Sequence, residues 1–270
     1  MALDFFKVQD HAARYRKYRL SSPNEVQGLI VSYLQRKKGE PFSLAVDIGC
    51  GSGQSTRGMA PYFEKVIGID VSEAQIEEAK KVDGPDNVSY RWGFAEELEF
   101  EDGSIDLVTA GAAAHWFDME KFMKEVERIL KPKGCVALYC YEVPCLLNYD
   151  NCTEHPAQIV QDLFTILKPY ETKVNKIVWD EYKQVFDAIT FPDKERAEDI
   201  YIKLKKPVSW FISYLRSSVL YQTYLKNDPE NAKASLEKTE QRLLNTMGVS
   251  SETVVEFGVK YFCLLASKPE

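Results

Sequence analysis

No apolar run in the sequence approaches the roughly 20 residues needed to cross a bilayer, and the start, MALDFFKVQD, lacks the basic-then-apolar layout of a secretory leader. Both absences predict a cytoplasmic chain with no membrane partner. Excess positive charge is missing too, since 34 Lys and Arg stand against 41 Asp and Glu, for a net charge of -7 and a pI near 5.3. Nucleic-acid surfaces draw on clustered cations, so a small-molecule partner is expected and nucleic acid is not. Residues 1–40 run the other way, with eight Lys or Arg against four Asp or Glu, which reads as a solvated helix face. The six cysteines, Cys50, Cys135, Cys140, Cys145, Cys152 and Cys263, form no CxxC pair and lie largely in apolar stretches. Neither a zinc site nor a disulfide framework follows, and no metal is expected. Internal repeats and low-complexity linkers are lacking as well.

What the chain does have is an ordinary globular composition, 45% hydrophobic and 28% charged over 270 residues, enough for a full-sized core. From residue 43 to about 140 the pattern repeats a short apolar strand, a turn and an amphipathic helix. SLAVDI, KVIGID, NVSYRW, SIDLVTA and CVALYCY read as five strands, parallel because helices lie between them. SEAQIEEAKKV starts at a plausible cap, Ser72, and DMEKFMKEVERILKPKG starts at Asp118 and stops at Pro132 and Gly134. Beyond residue 145 the rhythm changes to a mainly helical cap. DIYIKLKKPV reads as a sixth strand, WFISYLRSSVLYQTYLK as one aromatic helix, PENAKASLEKTEQRLLNTMG as another helix, and TVVEFGVKYFCLLASK as a long closing strand.

The stretch VDIGCGSGQ places Gly49, Gly51 and Gly53 directly after the first strand, where open parallel sheets bind ligands. A dinucleotide fingerprint needs G-x-G-x-x-G, and Gln54 stands where the third glycine belongs. Asp47 also opposes a pyrophosphate here, because a carboxylate repels a dianion and favours an ammonium or sulfonium. Two readings of Asp47 stand: it faces a cationic cofactor, or it fixes the turn. Asp70 ends the second strand, where a carboxylate suits the two hydroxyls of a ribose or caps the next helix.

With these residues in place, the chain resembles the class I S-adenosylmethionine-dependent methyltransferases over about residues 43–140. VDIGCGSG looks like the family's first motif, GIDVS its second, GFAEEL its adenine-side motif, DLVTA its fourth strand and ILKPKG the turn before its fifth. The run GFAEELEFEDGSIDLVTAGAAAHWFD and the early YRKYRLSSP also resemble the branch that includes trans-aconitate methyltransferases. Two departures from that branch are Leu20 after Arg19, in place of proline, and Phe94 in place of a polar residue.

The resemblance implies an α/β, Rossmann-like, seven-stranded sheet with helical cap insertions, spanning 1–270 as a single domain. It would comprise an arm over the cofactor (1–40), a cofactor-binding half (41–144), a substrate cap with the sixth strand (145–250) and a closing strand (251–270). It implies S-adenosyl-L-methionine as cofactor, S-adenosyl-L-homocysteine as product, and methyl transfer to a small molecule. A carboxylic acid is the first expectation, and a hydroxyl, an amine or a silent cofactor-binding protein are the alternatives. A monomer or homodimer is expected.

By the same resemblance Asp47, Gly49, Gly51 and Gly53 lie along the methionine and ribose, Asp70 holds the ribose, and Val71, Phe94, Ala95 and Glu96 surround adenine. Gln75 is a rim contact, and Ala110 and Gly111 lie near the methionine amino group. His115 and Trp116 would floor the acceptor site, with His115 either a general base or a packing residue. Tyr15, Tyr18 and Arg19 would close the pocket or hold the substrate, the alternative being a surface helix. Trp210, Tyr214, Ser217, Ser218 and Tyr221 are candidates for the substrate wall, although aromatics at these spacings also suit a core.

Overall fold

Five short segments form the parallel part of one mixed sheet: β1 (Leu44–Ile48), β2 (Lys65–Asp70), β3 (Val88–Trp92), β4 (Ile105–Gly111) and β5 (Leu130–Tyr141). The computed structural model describes residues 18, 20–149, 152 and 154–270. Sheet order runs β3-β2-β1-β4-β5-β8, with β8 (Val254–Ser267) antiparallel to β5 and β7 (Asp193–Pro207) antiparallel on the far side of β8. These are the seven expected strands. An eighth, the two-residue β6 (Cys145–Leu146), pairs with β8 just past the point where β5 leaves it.

Among the described residues the α-helices are α1 (Asn24–Lys37), α2 (Gln54–Met59), α3 (Glu73–Lys80), α4 (Met119–Ile129), α5 (Pro156–Leu167), α6 (Lys173–Trp179), α7 (Lys183–Ala188), α8 (Val208–Arg216), α9 (Val219–Asn227) and α10 (Pro229–Met247). Alternation along each strand divides the core between the two faces. Ala137, Tyr139 and Tyr141 of β5 join Val26, Ile30 and Leu34 of α1 and the apolar sides of α5, α8, α9 and α10. Val136, Leu138 and Cys140 join Phe122, Val126 and Ile129 of α4 and Val185 of α7. Covering both faces buries the central strands on both sides, which is why they read as nearly continuous apolar runs.

Several boundaries differ from the sequence expectation, each for a local reason. Helix α4 ends at Ile129 rather than at Pro132–Gly134, because Leu130 already pairs with Ile105 and the residue before a proline is driven to extended backbone. The single aromatic helix is two, α8 and α9, parted where the Ser218 hydroxyl accepts from Tyr221 N at 3.2 Å and caps the second. Strand β7 begins at Asp193, six residues before the expected strand. Its first half, DKERAE, is too charged to read as a strand, and long pairing with the buried β8 overrides that preference. The outer side of β7 pairs with no strand among the described residues.

At the amino-terminal rim of the sheet, the Asp106 side chain on β4 is fully buried and ties the ends together. It accepts from Ser43 N (2.8 Å), Ser43 Oγ (2.7 Å) and Leu44 N (2.9 Å), and meets the ammoniums of Lys131 (2.9 Å) and Lys38 (3.0 Å). Its opposite rim is the one left open.

Candidate functional site

Strand β1 ends beside β2, and the turn after it is built on the neighbouring strand. Gly49 N and Cys50 N both donate to Ile69 O, at 2.8 and 3.0 Å. Gly49, Gly51 and Gly53 all have positive φ, +68°, +53° and +76°, a region that costs other residues roughly 1–2 kcal/mol. A Cβ on Gly49 would lie 2.5 Å from Ala113 Cβ, and one on Gly53 would overlap the Tyr90 hydroxyl. Gly51 has room: its Cβ would meet nothing nearer than Gln75 Oε1 at 3.8 Å.

Asp70 locks this turn from β2. Its Oδ2 accepts from Gly51 N and its Oδ1 from Ser72 N, both at 2.8 Å. Burial pushes its carboxyl up, and the two amides oppose that rise. Each oxygen thus holds one backbone donor and keeps a second lone pair. Ser72 in turn caps α3 by accepting from Gln75 N.

Asp47 is 2% exposed and sits beneath the turn. Its Oδ2 accepts from Thr56 Oγ1 at 2.6 Å and its Oδ1 from Thr109 Oγ1 at 2.9 Å. Burial raises its carboxyl to about 6, against the two hydroxyls and with help from the nearby Asp70 charge. These two hydroxyls tie Asp47 to α2 and β4 beneath the turn.

A cleft of about 230 Å³ opens above the turn. Gly49, Gly51, Asp70, Val71, Gln75, Phe94, Ala95, Glu96 and Gly111 line it, whereas Asp47, Gly53 and Ala110 do not. Ala110 is fully buried in the core. Gln75 is 2% exposed, and neither its amide oxygen nor its amide nitrogen has a hydrogen-bond partner among the described residues. A buried amide left in this condition costs about 1–3 kcal/mol. Glu96 Oε1 accepts from Asp118 N at 2.8 Å and so ties the loop after β3 to the start of α4. Trp92 donates through Nε1 to Val71 O at 2.9 Å and stands edge-on to Phe94. Leu20, Cys50, Ala112 and Tyr141 also line the cleft; the first three lie inside the quoted motifs but drew no site role from them, and Tyr141 was legible only as the end of a strand.

A larger cavity of about 770 Å³ adjoins the cleft, and Ala112, Trp116 and Tyr141 line both. Ala112 makes the seam with a left-handed φ of +50°, its N–H held by Tyr139 O at 2.8 Å. His115, Trp116, Tyr214 and Ser218 line the larger cavity. Trp210, Ser217 and Tyr221, also expected there, lie elsewhere. Trp210 packs on Phe257, Ser217 Oγ donates to Tyr214 O, and Tyr221 OH donates to Ala232 O. Tyr15 and Arg19 lie outside the described residues. Tyr18 packs against the core cluster that includes α1.

The cavity's wall is mostly apolar, drawn from α5, α6, α8 and α9, with the carboxylates of Glu142, Glu171 and Glu181 and one cation, Lys168, among its described residues. Lys260 bridges Glu142 (3.1 Å) and Glu181 (3.3 Å), and Arg196 also pairs with Glu181. Burial raises the Glu181 carboxyl, but these neighbouring cations prevail and hold it below its usual range. His115 Nδ1 lies 2.5 Å from Tyr182 OH, a contact across 67 residues that no sequence signal announces.

A family model described as a methyltransferase domain, Methyltransf_11, matches residues 46–138. A Dictyostelium discoideum protein named as a methyltransferase is 30% identical over 259 residues, covering 94% of this chain and 92% of its own. A solved structure from Anaeromyxobacter dehalogenans, named as a type II methyltransferase, superposes with a TM-score of 0.74 at 24% identity, covering 94% of this chain and 100% of its own. A Haemonchus contortus phosphoethanolamine N-methyltransferase 2, in complex with phosphomonomethylethanolamine and S-adenosylhomocysteine, superposes at 0.52 with 20% identity, covering 100% of this chain and 60% of its own.

Proposed function

The chain belongs to the class I S-adenosylmethionine-dependent methyltransferases, and we propose that it transfers a methyl group from that cofactor, held at the glycine turn, to a small molecule in the adjoining cavity. One observation carries the reading: a cleft with a glycine floor and a cavity with apolar walls share a seam at Ala112, Trp116 and Tyr141. A donor in one and an acceptor in the other would meet there.

The donor set fits an adenosyl compound. Asp70 has lone pairs left for two vicinal hydroxyls, Gln75 carries an unsatisfied buried amide, and Val71, Phe94 and Ala95 supply a largely apolar wall for a flat base. The bound cofactor supplies a methyl group on a positively charged sulfur. The protein's own part is to hold donor and acceptor in line and to exclude water, which alone lowers such a barrier. Tyr141 and Trp116 border both spaces and restrict the opening between them.

For the acceptor, the wall favours a hydroxyl or an amine over a carboxylate. Glu142 and Glu181 are already paired to Lys260 and Arg196, so the reading rests on the mostly apolar wall, which would desolvate a carboxylate while the one lining cation among the described residues, Lys168, is exposed. A carboxylic acid, the acceptor suggested by the trans-aconitate branch, is the second reading and would rely on Lys168 or on residues outside the described set. Labelled S-adenosylmethionine offered with matched phenols, amines and acids tests both. Labelled product from phenols or amines supports the first reading, and cofactor binding without any product would leave a silent binding protein.

A further inference from the structure

Tyr182 is wholly buried, yet it holds a left-handed φ of +61°, and Glu181 before it holds +49°. Two consecutive non-glycine residues in that region are costly and persist only where packing over-determines them. The packing here is specific. The Tyr182 ring stands edge-on to Phe262 of β8 with centroids 5.3 Å apart, Tyr182 N donates to Ile177 O at 3.2 Å, and Tyr182 O receives Phe186 N at 2.8 Å. The turn thereby delivers Glu181 to the cavity wall and the Tyr182 hydroxyl to His115 Nδ1.

We propose that Tyr182 is a positioning residue for His115, and that the acceptor's nucleophilic atom is a hydroxyl or amine whose proton His115 receives at Nε2. The inference rests on the methyl-transfer reading above. A phenol hydroxyl both donates and accepts, so it can take the Nδ1–H of the neutral ring and keep that bond when the ring is protonated. Nε2 is then the basic nitrogen. In the step assigned to the pair, the O–H bond of a hydroxyl acceptor, or an N–H bond of an amine bound as its ammonium ion, breaks toward Nε2. The electron pair left behind forms the new bond to the methyl carbon, whose bond to sulfur breaks with its electrons remaining on sulfur. Tyr182 never touches the acceptor in this scheme. The charged groups on the same wall are Glu142, Glu171, Glu181 and Lys168, with Lys260 and Arg196 paired to the glutamates. The phenols of Tyr141 and Tyr214 and the thiols of Cys140 and Cys145 complete its titratable set among the described residues.

The test is ¹⁵N NMR of the imidazoles in the full chain without added cofactor, His115 being assigned among the three histidines by His115→Gln. The wild type is expected to show the Nδ1–H tautomer above the titration midpoint. Tyr182→Phe removes an acceptor from the protonated ring, so the midpoint should fall by about half a pH unit or more. The Nε2–H tautomer in the wild type, which needs no variant to observe, would overturn the assignment. So would a folded Tyr182→Phe protein with unchanged His115 shifts and midpoint. In parallel, labelled S-adenosylmethionine is offered with phenols and primary amines, each paired with a carboxylic acid of the same skeleton. Methylation of a phenol or amine, rising with pH through the His115 midpoint and about tenfold or more slower in Tyr182→Phe, is the expected result. Methylation of the acids alone, with a flat pH profile, overturns the acceptor class. If no compound is methylated, the methyl-transfer reading fails while the NMR result still decides the Tyr182 contact.

Discussion

Asp70 Oδ2 receives the amide N–H of Gly51 at 2.8 Å, so the carboxylate that ends β2 and the turn that ends β1 form one hydrogen-bonded unit. A ligand that engages either one feels both.

Asp70→Ala is accordingly expected to weaken S-adenosylmethionine binding by about 1.5–3 kcal/mol, the range for hydrogen bonds to a charged group. Isothermal calorimetry measures this directly. Unchanged affinity would remove Asp70 from the ribose.

Gly49→Ala places a side chain at φ +68° with its Cβ 2.5 Å from that of Ala113. The backbone strain alone is worth about 1–3 kcal/mol, and relief of the overlap must displace the turn. Urea unfolding should show the loss of stability, and calorimetry the loss of cofactor binding.

Asp47 and Asp106 should give opposite pH signatures. Burial lifts Asp47 to about 6, so the folded state holds its proton longer than the unfolded chain. That contribution is present below pH 4 and is lost as pH rises through 6. Burial also raises Asp106, but Leu44 N, Lys131, Ser43 and Lys38 together bring it down to about 2. Its contribution, about 2–3 kcal/mol, is full above pH 4 and disappears as pH falls through 2. Unfolding free energies across this range should lose the slope between pH 4 and 6 in Asp47→Asn, and the acid-side slope in Asp106→Asn.

Val160 lines the larger cavity and not the cleft. Val160→Trp should raise the acceptor KM by about tenfold, ~1.4 kcal/mol, and leave the cofactor affinity unchanged. Equal losses at both would mean that the two spaces are not separate sites.

Much of this was legible because it is local. The strands of the parallel half, the caps at Ser72 and Asp118, and Pro229 and Gly248 at the ends of α10 each announce themselves within a few residues. Gly49, Gly51 and Asp70 were readable together because one turn and one strand end carry them, and Gln75 because it lies in the first turn of the helix that follows. Asp47 was ambiguous in sequence, since its role depends on Thr56 and Thr109, the latter 62 residues away. Trp210 and Tyr221 illustrate the converse, because an aromatic on a helix does not reveal which of two faces receives it. Tyr182 carried no signal at all, as only the folded chain brings it to His115.

Among the described residues no strand pairs with the outer side of β7 over Asp193–Pro207, an edge onto which a neighbouring molecule would be able to add a strand. The exposed Lys203, Lys205 and Lys206 put like charge along it, and stacking that edge against its own copy would bring those charges together. Charge along that border therefore opposes the growth of fibres by edge-to-edge addition of identical chains.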